Sequence, residues 1–142
     1  MSFDDRIKRE INDLHAFFEG WLGGTLEGDA DAFRRLESAL GDGFVLVTPS
    51  GEELERAPLL ATLRDAFGAR PRVRIWIERP RLLHHASPIA VARYEELQES
   101  AGNSTRRLST AVFRESDDAP DSTSFAVQVK LFTLGNQDNA AR

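Results

Sequence analysis

Four consecutive segments decide the fold: RVRIWIERPRLL (residues 72–83), PIAVARYEELQE (88–99), TRRLSTAVFRE (105–115) and SFAVQVKLFTL (124–134). Each is rich in β-branched and aromatic residues, which favour strands. Polar or Pro-, Gly- and Asp-containing stretches separate the segments, and such stretches form turns. We therefore predict four long strands, each joined to the next by a hairpin.

The earlier part of the chain is predicted to be mainly helical. Its apolar residues follow the three-to-four-residue spacing of helices with one buried face. This spacing, with the cap and stop residues around it, predicts three helices. The first is capped by Ser2 and carries its apolar stripe from Ile7 to Leu22, the second runs from a cap at Asp29 to the terminator Gly41, and the third spans residues 56–67. One further strand is predicted at residues 44–48, where the apolar period changes to two.

The order of these elements predicts the fold class. Helices followed by a run of long strands are typical of an α+β fold, with helices covering one face of an antiparallel sheet. Long strands twist, so the sheet should curve around the helices and enclose a pocket against the first of them. A length of 142 residues fits one core. We expect a single domain over residues 1–134 and a loose C-terminal tail at 135–142.

The composition excludes several classes of protein. Against 23 acidic residues stand 18 Lys and Arg, a net charge of −5, and there is no Cys. An acidic surface repels a phosphate backbone, so no nucleic-acid partner is expected. No apolar run reaches the ~20 residues of a membrane span, and no signal peptide precedes the first helix, so a cytoplasmic location is expected. No phosphate-binding loop or metal-ligand spacing occurs, which predicts no cofactor and no metal.

Four short motifs occur in an order that resembles a known family. They are LHAFF (14–18) followed by Trp21, FVLVTPSG (44–51), RYEELQ (93–98) and STAVF (109–113). Together they resemble an uncharacterised branch of the SnoaL-like, ketosteroid-isomerase-like proteins of the NTF2-like (nuclear transport factor 2-like) superfamily. The resemblance implies a cone-shaped antiparallel sheet, about three helices on its concave face, an enclosed pocket and frequent homodimers. It implies no single activity, because the fold carries many functions.

The sequence departs from that family at two places. Relatives often carry Trp, His and Glu along the last strand, whereas residues 125–132 read FAVQVKLF. The steroid isomerase uses an Asp base and a protonated Asp beside a Tyr. No Asp lies inside a strand predicted here, so steroid isomerisation by such a pair is not expected.

Three residues are the candidate catalytic groups. Tyr94 and Glu96 lie on one face of the predicted second long strand, after the small residues Ala90 and Ala92. Small side chains leave room for a ligand, and desolvation in such a cavity would raise the pKa of Glu96 and suit it to acid–base work. His15, at the edge of the first helix's apolar stripe, is the third candidate.

Each of these assignments has an alternative. Ala92 would instead accommodate a helix, and His15 would be a half-covered residue at the helix boundary. Glu96 would then form an ion pair with Arg106 or Arg107 of the next strand. The alternation of side chains between the two faces of a strand leaves both interpretations open.

The candidate ligand-binding residues are Trp21, Trp76 and Arg107. The two tryptophans would form walls of an apolar cavity, because aromatic side chains dominate such linings. The alternative for each is packing in the core or between subunits. Five arginines between residues 70 and 81 superficially suggest nucleic-acid binding, but the chain is net acidic, and Arg72 and Arg74 alone would form the solvated face of one strand.

Two functions from different classes fit the sequence. The first is a cofactor-independent enzyme that isomerises, cyclises or hydrates a small, mainly apolar molecule by proton transfer. The second is a non-catalytic dimeric domain that binds a ligand or another protein. Apolar residues on both faces of the last three strands predict a homodimer through the outer face of the sheet.

Overall fold

The computed structural model describes residues 2–115 and the backbone of residues 123–131. Helix α1 (Phe3–Gly23) begins at Ser2, whose side chain accepts a hydrogen bond from the backbone N–H of Asp5. It ends at Gly24, which adopts a left-handed conformation with φ of 75°. A Cβ atom at this position would lie 3.1 Å from the Cα atom of Gly68, so the close approach of the two loops also requires glycine.

The two other helices are short, and each buries one side. Helix α2 (Ala30–Ala39) is capped by Asp29 and buries Phe33 and Leu36. Helix α3 (Arg56–Asp65) ends two residues before the predicted position. All three predicted helices are present.

One sheet of six strands packs against the helices. Its strands are β1 (Leu40–Val47), β2 (Glu53–Glu55), β3 (Arg74–Ala86), β4 (Ile89–Ser100), β5 (Asn103–Glu115) and β6 (Thr123–Leu131). Their order across the sheet is β2-β1-β6-β5-β4-β3. The α+β class is confirmed, and the four long strands form consecutive antiparallel pairs.

Three details of the sheet differ from the sequence prediction. Strands β1 and β6 pair in parallel. After β2 and α3 the chain passes to the opposite edge of the sheet, and β3, β4 and β5 then lead back until β6 lies beside β1. Strand β2 was not predicted, because three residues show no period. Strand β1 begins at Leu40, which places the exposed Asp42 inside a strand, contrary to the expectation that no strand carries Asp.

The side chains of β4 alternate between the core and the outer face. Ala90, Ala92, Tyr94 and Glu96 are all buried on the inner face, which confirms that Tyr94 and Glu96 share a face. Ala90 and Ala92 belong to the same buried cluster as the apolar stripe of α1. Their small side chains therefore accommodate the helix, and the space expected for a ligand at these two positions is filled.

The start of α1 is held against the far end of the sheet. The ring of Phe3 stacks on His85 of β3, with 3.7 Å between ring centroids. His85 Nε2 lies 2.7 Å from a carboxylate oxygen of Glu115 on β5, and this hydrogen bond lowers the pKa of Glu115. These contacts connect the first turn of α1 to β3 and, through His85, to β5.

Two predictions concern residues outside the described part of the chain. The expected loose tail at 135–142 and the end of the last predicted strand, 132–134, both lie there. Among the described helices, none is long and apolar enough to cross a membrane.

Candidate functional site

A buried histidine–carboxylate pair joins α1 to β4. Nε2 of His15 lies 3.3 Å from Oε1 of Glu96, and both side chains are at most 2% exposed. On the other side of the ring, Nδ1 lies 2.8 Å from the carbonyl oxygen of Ile11. A carbonyl oxygen only accepts, so Nδ1 carries a proton and donates it to Ile11. The Nε2–Oε1 contact has the distance of an ion pair but is not aligned as a hydrogen bond.

The tautomer of His15 decides which kind of atom faces Glu96. With its proton on Nδ1, a neutral ring turns the lone pair of Nε2 towards the carboxyl group. A proton on the Glu96 oxygen, or a second proton on the ring, would make this contact attractive.

Two further polar side chains extend the pair towards the surface. Nε2 of Gln98 donates a 2.5 Å hydrogen bond to Oε2 of Glu96. Oε1 of Gln98 accepts a 2.8 Å hydrogen bond from Nη1 of Arg70, which is half-buried. Because Arg70 only donates, the orientation of the Gln98 amide is fixed, and its NH₂ group faces Glu96.

A cavity of about 140 Å³ lies against this polar group. Glu96 and Gln98 form the polar part of its wall, and every other described residue in the lining is apolar. The apolar walls include pairs of side chains from α1, β1 and α3: Phe18 and Leu22, Phe44 and Leu46, Leu59 and Leu63. The site is thus a small apolar pocket with one carboxyl group in its wall.

The three candidate catalytic residues are close together, but only Glu96 reaches the cavity. His15 lies behind Glu96, and the fully buried ring of Tyr94 packs edge-on against His15 at 5.2 Å between centroids. His15 and Tyr94 are absent from the described lining. His15 contacts Glu96 directly, and Tyr94 packs against His15.

The structure places the candidate ligand-binding residues away from the cavity. Trp21 is 2% exposed, packs among aromatic rings and donates its indole N–H to the carbonyl oxygen of Leu63 at 2.7 Å. Trp76 lies opposite Leu97 on the outer face of the sheet and is half-buried. Arg107 stands opposite Glu96 in the β4–β5 register but is not part of the described cavity lining.

The arginines of β5 do not form the ion pair considered for Glu96. Arg106 pairs with Glu95 on the outer face. Arg107 makes no ion pair with Glu96, although the two residues are cross-strand neighbours. Within the described ranges, no cluster of three His, Asp or Glu side chains could hold a metal ion.

Comparison with known proteins gives the family. The sequence model of the sucrose-6-phosphate phosphohydrolase C-terminal family matches residues 7–132. The chain belongs to this family. No protein of curated function matches this family member.

Solved structures place this family member among the NTF2-like proteins. An NTF2-like protein of unknown function from Pseudomonas aeruginosa is 30% identical, with a TM-score of 0.81 over 90% of this chain and 98% of that one. A second, from Cytophaga hutchinsonii, is 13% identical, with a TM-score of 0.73 over 94% and 100% of the two chains. The predicted NTF2-like superfamily is confirmed, and the SnoaL-like branch stays a prediction.

The same fold occurs in a hub domain. The CaMKII hub homology domain of Chlamydomonas reinhardtii is 12% identical to this family member, with a TM-score of 0.71 over 94% of this chain and 99% of that one. At this identity the likeness shows the fold alone.

Sequence reasoning missed Gln98 and Arg70. Gln98 follows Glu96 by two residues on the same strand, so the alternation that placed Tyr94 beside Glu96 also places Gln98 there. Arg70 lies in the loop before β3, and no local pattern connects it with β4.

Proposed function

We propose that this domain binds a small, mainly apolar molecule in the Glu96 cavity and that Glu96 exchanges a proton with it. The observation that carries the proposal is a buried carboxyl group that contacts both an apolar cavity and a buried histidine. Isomerisation, cyclisation or hydration of such a molecule each needs one group that takes a proton and returns it. His15 and Tyr94 act as positioning residues behind Glu96.

The dimensions of the cavity limit the ligand. Its volume of about 140 Å³ is close to that of an apolar cavity known to bind benzene. One six-membered ring with a single polar substituent fits this volume, whereas a steroid does not. The polar substituent would point to Glu96 and Gln98, since burying it elsewhere would leave it without a hydrogen bond.

Ligand binding is tested by filling the cavity. We expect benzyl alcohol or cyclohexenone to raise the melting temperature of the wild-type protein in a saturable way. Leu59→Phe places a larger side chain in the cavity and should abolish this shift. Leu82→Phe is the matched control, because Leu82 is also half-buried against the core but lies outside the described lining. Equal shifts in both variants would place the ligand elsewhere.

A second function, a non-catalytic dimeric domain for binding or interaction, is favoured by the outer face of the sheet. Apolar side chains of β4 and β5 remain only half-buried there: Val91, Leu97, Leu108 and Val112. A two-fold partner would cover them. The family is that of the C-terminal part of sucrose-6-phosphate phosphohydrolase, and several proteins of the same fold are hub or association domains.

The assembly is tested by mass in solution. We expect light scattering at micromolar concentration to give twice the chain mass of 15.8 kDa. Val112→Glu should give the mass of one chain, because it places an unpaired charge in the covered face. Glu99→Gln, at an exposed position of the same face, should leave the dimer intact. A monomeric wild-type protein would contradict the dimer.

A further inference from the structure

A second concavity lies on the outer face of the sheet. It has a volume of about 300 Å³ and is lined by Arg79, Arg81, Arg93, Tyr94, Glu95 and Leu108. Three of these six residues are arginines, in a chain whose net charge is −5. We call it the arginine groove. Because adjacent strand residues face opposite sides, Arg93 and Glu95 point away from the Glu96 cavity.

At one end of the arginine groove, a pair of like charges is compensated within the chain. Glu78 of β3 and Glu95 of β4 are directly opposite in the register, an arrangement that destabilises a sheet. Arg79 bridges them, with Nη1 3.1 Å from Glu78 Oε1 and Nε 3.1 Å from Glu95 Oε2. Arg79 reaches both through a bulge in β3 and a positive φ of 52°. Glu95 also pairs with Arg106, so its charge is fully matched.

The next like-charged pair has no such compensation. Arg81 and Arg93 are also directly opposite, which brings their Cβ atoms within about 5.5 Å. Among the described residues, neither guanidinium group forms an ion pair or a side-chain hydrogen bond. Nε of Arg93 is buried and has no hydrogen-bond partner. A buried donor without an acceptor costs about 1–3 kcal/mol, so this pair lacks a counter-ion.

We propose that the arginine groove binds an oxyanion, a phosphate or carboxylate group, between Arg81 and Arg93. Guanidinium groups form paired, charge-assisted hydrogen bonds with such anions. A bound oxyanion would relieve the repulsion between the arginines and give Arg93 Nε an acceptor. Glu95 does not oppose it, because Arg79 and Arg106 neutralise that carboxylate. This site is separate from the Glu96 cavity and does not depend on its function.

The test measures melting temperature as inorganic phosphate or acetate replaces chloride at constant ionic strength. We expect phosphate, acetate or both to raise the wild-type melting temperature by about 3 °C, saturably. Arg81→Gln and Arg93→Gln should each lose this shift. In buffer without either anion, Arg81→Gln should melt at the wild-type temperature or above it, because the repulsion is gone. Arg9→Gln, at an exposed position of α1, removes the same charge and should keep the shift.

Each outcome bears on the proposal. A shift with phosphate alone assigns a phosphate ligand, and a shift with acetate alone assigns a carboxylate. No shift in the wild-type protein, or an equal shift in Arg81→Gln, overturns the site. Conversion of a dimer to a monomer by Arg81→Gln also overturns it, because the counter-ions would then be carboxylates of a second copy. Arg81 is exposed, so its variant remains informative even if Arg93→Gln does not fold.

Discussion

Trp21→Ala should lower the free energy of unfolding by about 3–5 kcal/mol, as is typical when a buried Trp is truncated. The indole ring packs against Phe17, Phe33 and Phe67, with centroid distances of 5.7, 5.0 and 4.8 Å. Truncation would leave a void among these rings and remove the hydrogen bond to Leu63. Urea unfolding followed by circular dichroism measures the loss.

Two variants separate packing from the hydrogen bond. Trp21→Phe keeps most of the packing and should lose about 1 kcal/mol. Trp76→Ala, on the half-buried outer face, should lose less than Trp21→Ala. A loss of under 1 kcal/mol for Trp21→Ala, together with weaker ligand binding, would contradict the packing role. It would indicate instead that Trp21 lines the ligand site, as the sequence suggested.

The alternation of side chains along β4 was sufficient to predict the strand residues of the site. It places Tyr94 and Glu96 on one face, and the structure buries both. The same reasoning could not tell whether Ala90 and Ala92 leave space or accommodate a helix, because that depends on how closely α1 approaches the sheet. The partner of Glu96 likewise depends on the crossing of α1 over β4, which no local pattern encodes.

The position of the cavity could not be predicted for a related reason. Its walls come from α1, β1 and α3, which are far apart in the sequence, and the space remains where their side chains do not meet. Trp21 was a reasonable wall residue by type, but it lies one turn beyond Phe18 and faces α2 and α3. The parallel pairing of β1 and β6 could not be predicted from local sequence patterns either, because the two strands are far apart in the sequence.

Proton exchange is the most direct test of the role proposed for Glu96. Small cyclic ketones in ²H₂O, followed by NMR, report deuterium uptake next to the carbonyl group. The wild-type protein should accelerate uptake by a ketone that binds the cavity, and both Glu96→Gln and Leu59→Phe should reduce the rate to that of buffer. A ketone that binds the cavity but takes up deuterium equally fast with wild type and Glu96→Gln would contradict proton exchange at Glu96.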